Sequence, residues 1–306
     1  MSAGLRLERI VLICNAPLAL ARFYERALGF TCSGSRILDE PAFGAMLGMP
    51  VARAQVVSLR LGGQHLDLIR IEPAGLPYPQ DVPGSNALFQ HFAIEVRDLP
   101  RAMRRLDTQP GWTAISVGGP QTLPPASGGV TAFKFKDPEG HPLELITPAQ
   151  PAPDVRRPRI THSAICVAST ARSTSFYAQL GLVMTGGSIN VGPEQALLDG
   201  MPTARVAVTA LSACGAPAPR LELLCYGDQF VRPPVAARPN DIAADWLVFS
   251  VRGEEPLRSL LRMCAGIRPT RFADGTLRGL LPDPDGHWLC LEAPADGTQP
   301  PVANPG

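Results

Sequence analysis

The chain repeats itself. The strand-like run opening at Arg9 returns at His162, 153 residues on (162 − 9), and Phe23-Tyr24 returns as Phe176-Tyr177, again at 153 (176 − 23). Gly29 returns as Gly181 at 152, and Met49-Pro50-Val51-Ala52-Arg53 as Met201-Pro202-Thr203-Ala204-Arg205, also at 152. A register held within one residue leaves almost no room for insertions, so the two halves are a tandem duplication. Such a chain must fold from copies of one supersecondary unit that pack on one another.

The unit can be read from either half. Residues 9–14 (Arg-Ile-Val-Leu-Ile-Cys) are rich in β-branched residues and read as a strand. Leu18 to Leu28 reads as a helix with Leu20, Phe23, Tyr24 and Ala27 on one face, and Gly29 ends it at no steric cost. Val51 to Arg60 and Gln64 to Ile71 then form a hairpin around Gly62-Gly63. His162 to Val167, Thr170 to Leu180 and Gly181 repeat the strand, the helix and its stop. Each half also divides in two. His91 to Val96, Leu99 to Leu106, and Val130 to Lys136 with Pro142 to Thr147 form a second unit, its hairpin turned by Asp137-Pro138-Glu139-Gly140. Leu247 to Val251, Pro256 to Cys264 and the hairpin around Asp283-Pro284-Asp285-Gly286 form the last. The expected fold class is α+β: four βαβββ units at about 6–73, 88–148, 159–227 and 245–294. They group as a module at 1–148 and a module at 159–294, with a Pro-rich linker at 149–158 and a tail at 295–306.

Bulk properties exclude several classes. A length of 306 residues suits two domains with their own cores, and 33 prolines and 29 glycines beside 45 % hydrophobic residues mean turns rather than disorder. The formal charge of +1 and the lack of a basic, aromatic-interleaved run argue against nucleic acid. No apolar run approaches the ~20 residues of a membrane helix, and Met1 to Glu8 lacks the pattern of a signal peptide. Seven scattered cysteines with no Cys-x-x-Cys pair suggest reduced thiols and a cytoplasmic protein. Cys14, Cys166 and Cys225 read as small core residues.

The chemistry lies across the midpoint. His91 and His162 each open an apolar strand, and Glu144 and Glu222 each sit between leucines inside one. A carboxylate buried there without a partner or metal would cost several kcal/mol. The two pairs occupy equivalent places in repeated units, so convergence on one metal ion is expected. His141 and His287 follow turn glycines and are expected to be solvated. His65 lies on the same strand face as Asp67, Ser127-Gly128-Gly129 reads as a loop, and nothing near Cys290 would stabilise a thiolate.

These features resemble the vicinal oxygen chelate superfamily, which includes glyoxalase I, extradiol dioxygenases and the fosfomycin- and bleomycin-resistance proteins. The matching motifs are Phe-Tyr-x-x-x-Leu-Gly from Phe23 to Gly29 (one residue shorter from Phe176 to Gly181), Asp-Pro-x-Gly-His at Asp137 to His141 and Asp283 to His287, and Leu-Glu-Leu around Glu144 and Glu222. The resemblance covers about 6–294 and implies a glyoxalase-like fold, in which paired units curl into two cup-shaped mixed sheets. It also implies ligand positions on the first and last strands of each unit: Arg9 and Asp67, His91 and Glu144, His162 and Glu222, Trp246 and Cys290. Pairing neighbouring units would compromise both cups, because a guanidinium repels a cation and Trp offers no lone pair. Pairing the inner units together gives one complete set of His91, Glu144, His162 and Glu222, as in the fused form of glyoxalase I. The outer cup then holds no metal, and Arg9 and Asp67 form an ion pair.

Two imidazoles and two carboxylates suit Zn²⁺, Ni²⁺, Fe²⁺ or Mn²⁺, with no other cofactor implied. The family resemblance implies a lyase or isomerase acting on a small substrate with vicinal oxygens, with Glu144 or Glu222 as the catalytic base. An extradiol-type Fe²⁺ dioxygenase and a non-catalytic binding protein are the alternatives. No glutathione site is recognisable. Four units can complete both cups in a monomer, and a homodimer is left open.

Overall fold

A computed structural model describes residues 5–150, 157–213 and 219–294. Most of the proline-rich linker and the whole tail lie outside these residues. The first unit comprises β1 (Arg6–Ile13), α1 (Pro17–Phe23), β2 (Thr31–Leu38), α2 (Pro41–Leu47), β3 (Arg53–Leu61) and β4 (Gln64–Glu72). The second has β5 (Gln90–Glu95), α3 (Leu99–Asp107), the short β6 (Thr113–Ala114) and β7 (Gln121–Thr122), then β8 (Thr131–Lys136) and β9 (Pro142–Thr147). The third has β10 (Arg159–Cys166), α4 (Thr170–Gln179), β11 (Leu182–Val191), α5 (Pro193–Asp199), β12 (Arg205–Ala213) and β13 (Arg220–Cys225). The fourth has β14 (Trp246–Ser250), α6 (Glu254–Ala265), the short β15 (Thr270–Arg271), β16 (Leu277–Pro282) and β17 (Trp288–Ala293).

The strands form two mixed sheets. One runs β15-β16-β17-β14-β1-β4-β3-β2 and is built from the first and fourth units. The other runs β11-β12-β13-β10-β5-β9-β8-β6, with β7 also on β8, and is built from the second and third. The inner units therefore share a sheet. At its centre β5 and β10 are antiparallel neighbours, flanked by β9 and β13 in parallel.

The two-residue alternation of each strand sorts its side chains between two environments. Ile10 and Leu12, Phe92 and Ile94, Leu143 and Leu145, and Leu221 and Leu223 enter one apolar core with the large helices, contributed by all four units. The intervening residues face the cups. Val11, Ile13, Val248 and Cys290 line the outer cup, and α2 fills it with Phe43 and Leu47. Short α2 and α5, each begun by a proline at its first turn and stopped by a left-handed glycine (Gly48, Gly200), have no counterpart in the sequence reading. The helix expected over 18–28 is α-helical only to Phe23 and then widens into a π-helical turn, Tyr24–Leu28, ended by Gly29 at φ 82°.

The two Asp-Pro-x-Gly-His turns correct one expectation. His141 and His287 are buried, not solvated. His141 bridges Asp137 Oδ2 and the Ile13 carbonyl at 2.9 Å each, and His287 Nε2 reaches the Cys166 carbonyl at 2.8 Å. Each turn thereby reaches from one sheet to the first strand of the other. A turn histidine becomes structural when the neighbouring unit covers the turn, which sequence spacing does not display.

Candidate metal centre

Register places the four residues. On the cup face, His91 lies opposite Ala164 and His162 opposite Ala93 across the β5–β10 ladder. Glu144 lies beside Ala93 and Glu222 beside Ala164. The result is a pseudo-twofold arrangement of two His–Glu pairs around two alanines, both fully buried. The alanines leave space among the four functional groups that larger side chains would occupy.

The functional atoms meet there. His91 Nε2 is 3.7 Å from Glu144 Oε2, and His162 Nε2 is 3.5 Å from Glu144 Oε2 and 3.6 Å from Glu222 Oε2. These separations exceed good N–H···O bonds. They approach the roughly 3.4 Å edge between tetrahedral ligands held about 2.1 Å from one ion. His91, Glu144 and His162 each offer a ligand atom, all within 4.8 Å of one another. The Nδ1 of His91 has no hydrogen-bond partner among the described residues, whereas that of His162 is 3.1 Å from Thr161 Oγ1. The donor set, its spacing and its burial fit a divalent cation.

The electrostatics are those of mutual support. Burial alone would raise the Glu144 carboxyl, but the His162 and His91 imidazoles and the Lys134 ammonium hold it well below the usual range. Glu222 is lowered as well, against burial, by His162 and Arg220. His91 is lowered by burial, whereas His162 is raised because the Glu222 and Glu144 carboxylates outweigh its burial. Both glutamates are thus ionised at neutral pH, as ligands must be. They are not equivalent. Glu222 remains 12 % exposed, and its Oε1 accepts from Arg220 Nε at 2.9 Å.

Sequence reasoning missed the neighbours of these four. Lys134 on β8 lies directly across from Glu144, and its Nζ donates to Asp199 Oδ1 at 2.7 Å. Asp199, at the end of α5, also accepts from Gln195 and Tyr226. Lys134 alternates with Phe133 and Phe135, and counting back from the hairpin turn would have set it facing Glu144. Asp199 comes from another unit and carries no such signal.

The outer cup carries the substitutions in the same register. Arg9, Asp67, Trp246 and Cys290 stand where His162, Glu222, His91 and Glu144 stand, and Val11 and Val248 replace the two alanines. Arg9 Nε is 3.3 Å from Asp67, and its terminal nitrogens donate to Glu292 at 2.6 and 2.8 Å. The Cys290 thiol is pushed up to about 12 by burial. A guanidinium held by two carboxylates occupies this cup.

Residues 6–145 match the family model described as the Glyoxalase/Bleomycin resistance protein/Dioxygenase superfamily. That match spans 140 of the 306 residues, all in the first half of the duplicated chain. Across nearly the whole chain, the solved structure of glyoxalase I from Zea mays is similar, with a TM-score of 0.61 at 16 % identity, covering 94 % of this chain and 92 % of that one. A proposed dioxygenase from Bacillus subtilis is similar with a TM-score of 0.57 at 12 % identity, covering 94 % of this chain and 84 % of that one. At these identities the likeness is one of fold. No curated protein sequence matches the chain at a significant level. No helix among the described residues is long and apolar enough to cross a membrane.

Proposed function

We propose that this protein is a metal-dependent isomerase or lyase of the vicinal oxygen chelate type, acting on a small substrate with vicinal oxygens. The observation that carries the reading is the convergence of His91, Glu144 and His162 in one cup, with Glu222 3.6 Å from His162. His91, His162 and Glu144 would hold the ion most firmly, and Glu222 would complete the set. A divalent cation there would acidify a carbon next to a chelated carbonyl.

The chain's own residues then divide the work. Glu144, enclosed by both imidazoles, stays as a ligand. Glu222 touches only His162 within the cluster and is partly exposed, so it is the carboxylate able to swing toward substrate. It would take the proton from the acidified carbon and return it to that carbon or its neighbour, with Arg220 holding the carboxylate in position.

The test is metal analysis combined with proton exchange. The purified protein should contain about one divalent ion per chain and should exchange the α-proton of a 2-hydroxy ketone or 2-oxo aldehyde with D₂O, followed by ¹H NMR. A chelator should abolish the exchange. Stoichiometric oxygen uptake by the Fe²⁺ form would replace this reading with the dioxygenase, and metal without exchange or oxygen uptake would replace it with a binding protein.

A further inference from the structure

The four proposed ligands obey the pseudo-twofold relation, but their surroundings break it. One row across the inner sheet reads Lys134, Glu144, Ala93, His162 and Arg220. The related row contains His91, Ala164, Glu222 and, opposite Glu222, Ala210. The place of Lys134 is therefore taken by alanine on the other side. The outer cup shows what the fold itself requires at this corner. Lys134 corresponds to Leu280, which lies across from Cys290, and Asp199 corresponds by the repeat register to Leu47. Leu47 and Leu280 belong to one apolar cluster. Where the duplicate closes this corner with two leucines, the inner cup buries an ammonium and a carboxylate.

A buried ion pair adds little net stability over a well-packed apolar pair. Nor is the pair needed to hold α5, because Ser116 Oγ donates to the Leu198 carbonyl at 2.9 Å and Val117 N donates to that of Leu197 at 2.9 Å. Among the described residues, Lys134 Nζ makes one hydrogen bond, so two of its three N–H groups are uncommitted. Its ammonium lies 5.8 Å from the ring centre of Phe89, whose ring packs edge-on against His91 at 5.5 Å.

We propose that Lys134 is the anion-recognition residue of this site, and that the substrate is a 2-oxo or 2-hydroxy carboxylate. The inference rests on the metal reading above. One carboxylate oxygen and the adjacent 2-oxygen supply the vicinal pair, and the second carboxylate oxygen accepts from Lys134. The charge balance agrees. Three carboxylates (Glu144, Glu222, Asp199), two cations (Lys134, Arg220) and a divalent ion leave one positive charge for a monoanion. Asp199, held by Tyr226 and Gln195, positions the ammonium without consuming its remaining donors.

The test is titration of glycolate, and of neutral hydroxyacetone, into zinc-loaded protein by calorimetry, with zinc content measured in parallel. Wild type should prefer glycolate by about tenfold or more, the scale of a charge-assisted hydrogen bond in a buried site. The double variant Lys134→Leu, Asp199→Leu copies the outer cup, and it should keep its zinc and lose the preference. Lys134→Arg should retain it. A preference unchanged in the double variant would overturn the inference, and so would zinc-loaded wild type that binds both probes equally. Wild type that takes up no zinc would overturn the metal reading, and this inference with it.

Discussion

The hydroxyl of Tyr24 donates to Asp137 Oδ2 over 3.0 Å, from the helix of the first unit to the turn of the second, and so from one sheet to the other. Tyr177 repeats the contact with Asp283 at 3.0 Å. Both tyrosines are fully buried. Replacing Tyr24 by Phe removes the donor and keeps the packing, leaving a buried carboxylate short of one partner. The expected loss is about 1–3 kcal/mol, read as a lower urea midpoint with an unchanged m-value. Tyr177→Phe should behave alike. A midpoint unmoved in both would show that the pins do not couple the sheets.

The ligand set predicts an order of metal loss. Glu144 is shared by both imidazoles and Glu222 touches one, whereas Asp67 faces Arg9. Glu144→Gln should lower metal affinity by well over tenfold, beyond what losing an outer-shell partner costs. Glu222→Gln should lower it less, and Asp67→Asn should leave it unchanged. Equal losses in Glu222→Gln and Asp67→Asn, measured by equilibrium dialysis, would contradict the assignment of the metal to the inner cup.

Much of this was legible because a duplication supplies internal controls. Two isolated His–Glu pairs would be weak evidence, but Arg9 and Trp246 at corresponding positions imply one intact cup and one degraded cup. The sheet order agrees with the pairing that concentrates the ligands. What escaped the sequence is what depends on contacts between units. α2 and α5 are too short to show a helical period, and they are fixed by the cups they cover. His141 looked like a hairpin residue because the strand that buries it, β1, belongs to a unit 128 positions away.

Stability should fall as pH rises. Burial alone would lower His141, but the Asp137 and Asp245 carboxylates outweigh it and push the imidazole up to about 10. A histidine raised on folding contributes stability that is complete below its ordinary pKa, near 6.5, and is lost as pH rises through about 10. Asp245, raised to about 7 by burial, acts in the same sense over a lower window, from its ordinary value near 3.8 to about 7. The unfolding midpoint of the wild type should therefore decline between pH 7 and 10. His141→Gln should be less stable at pH 7 and show a flatter profile above it. An equally steep decline in His141→Gln would assign the effect to other groups.

The two alanines beneath the candidate ion carry the last prediction. The outer cup, whose ligand positions hold no metal set, has Val248 where the inner cup has Ala93. Ala93 is fully buried between Glu144 and His162 on adjacent strands. A valine there would add two methyl groups to the space the ion needs, while the backbone already accommodates valine at the equivalent site. Overpacking of this kind costs about 1–3 kcal/mol, so Ala93→Val should still fold cooperatively. Its metal content should nonetheless drop to a small fraction of wild type, although all four ligand side chains remain. Full metal occupancy in a folded Ala93→Val protein would mean that the ion, if bound, sits elsewhere than above Ala93.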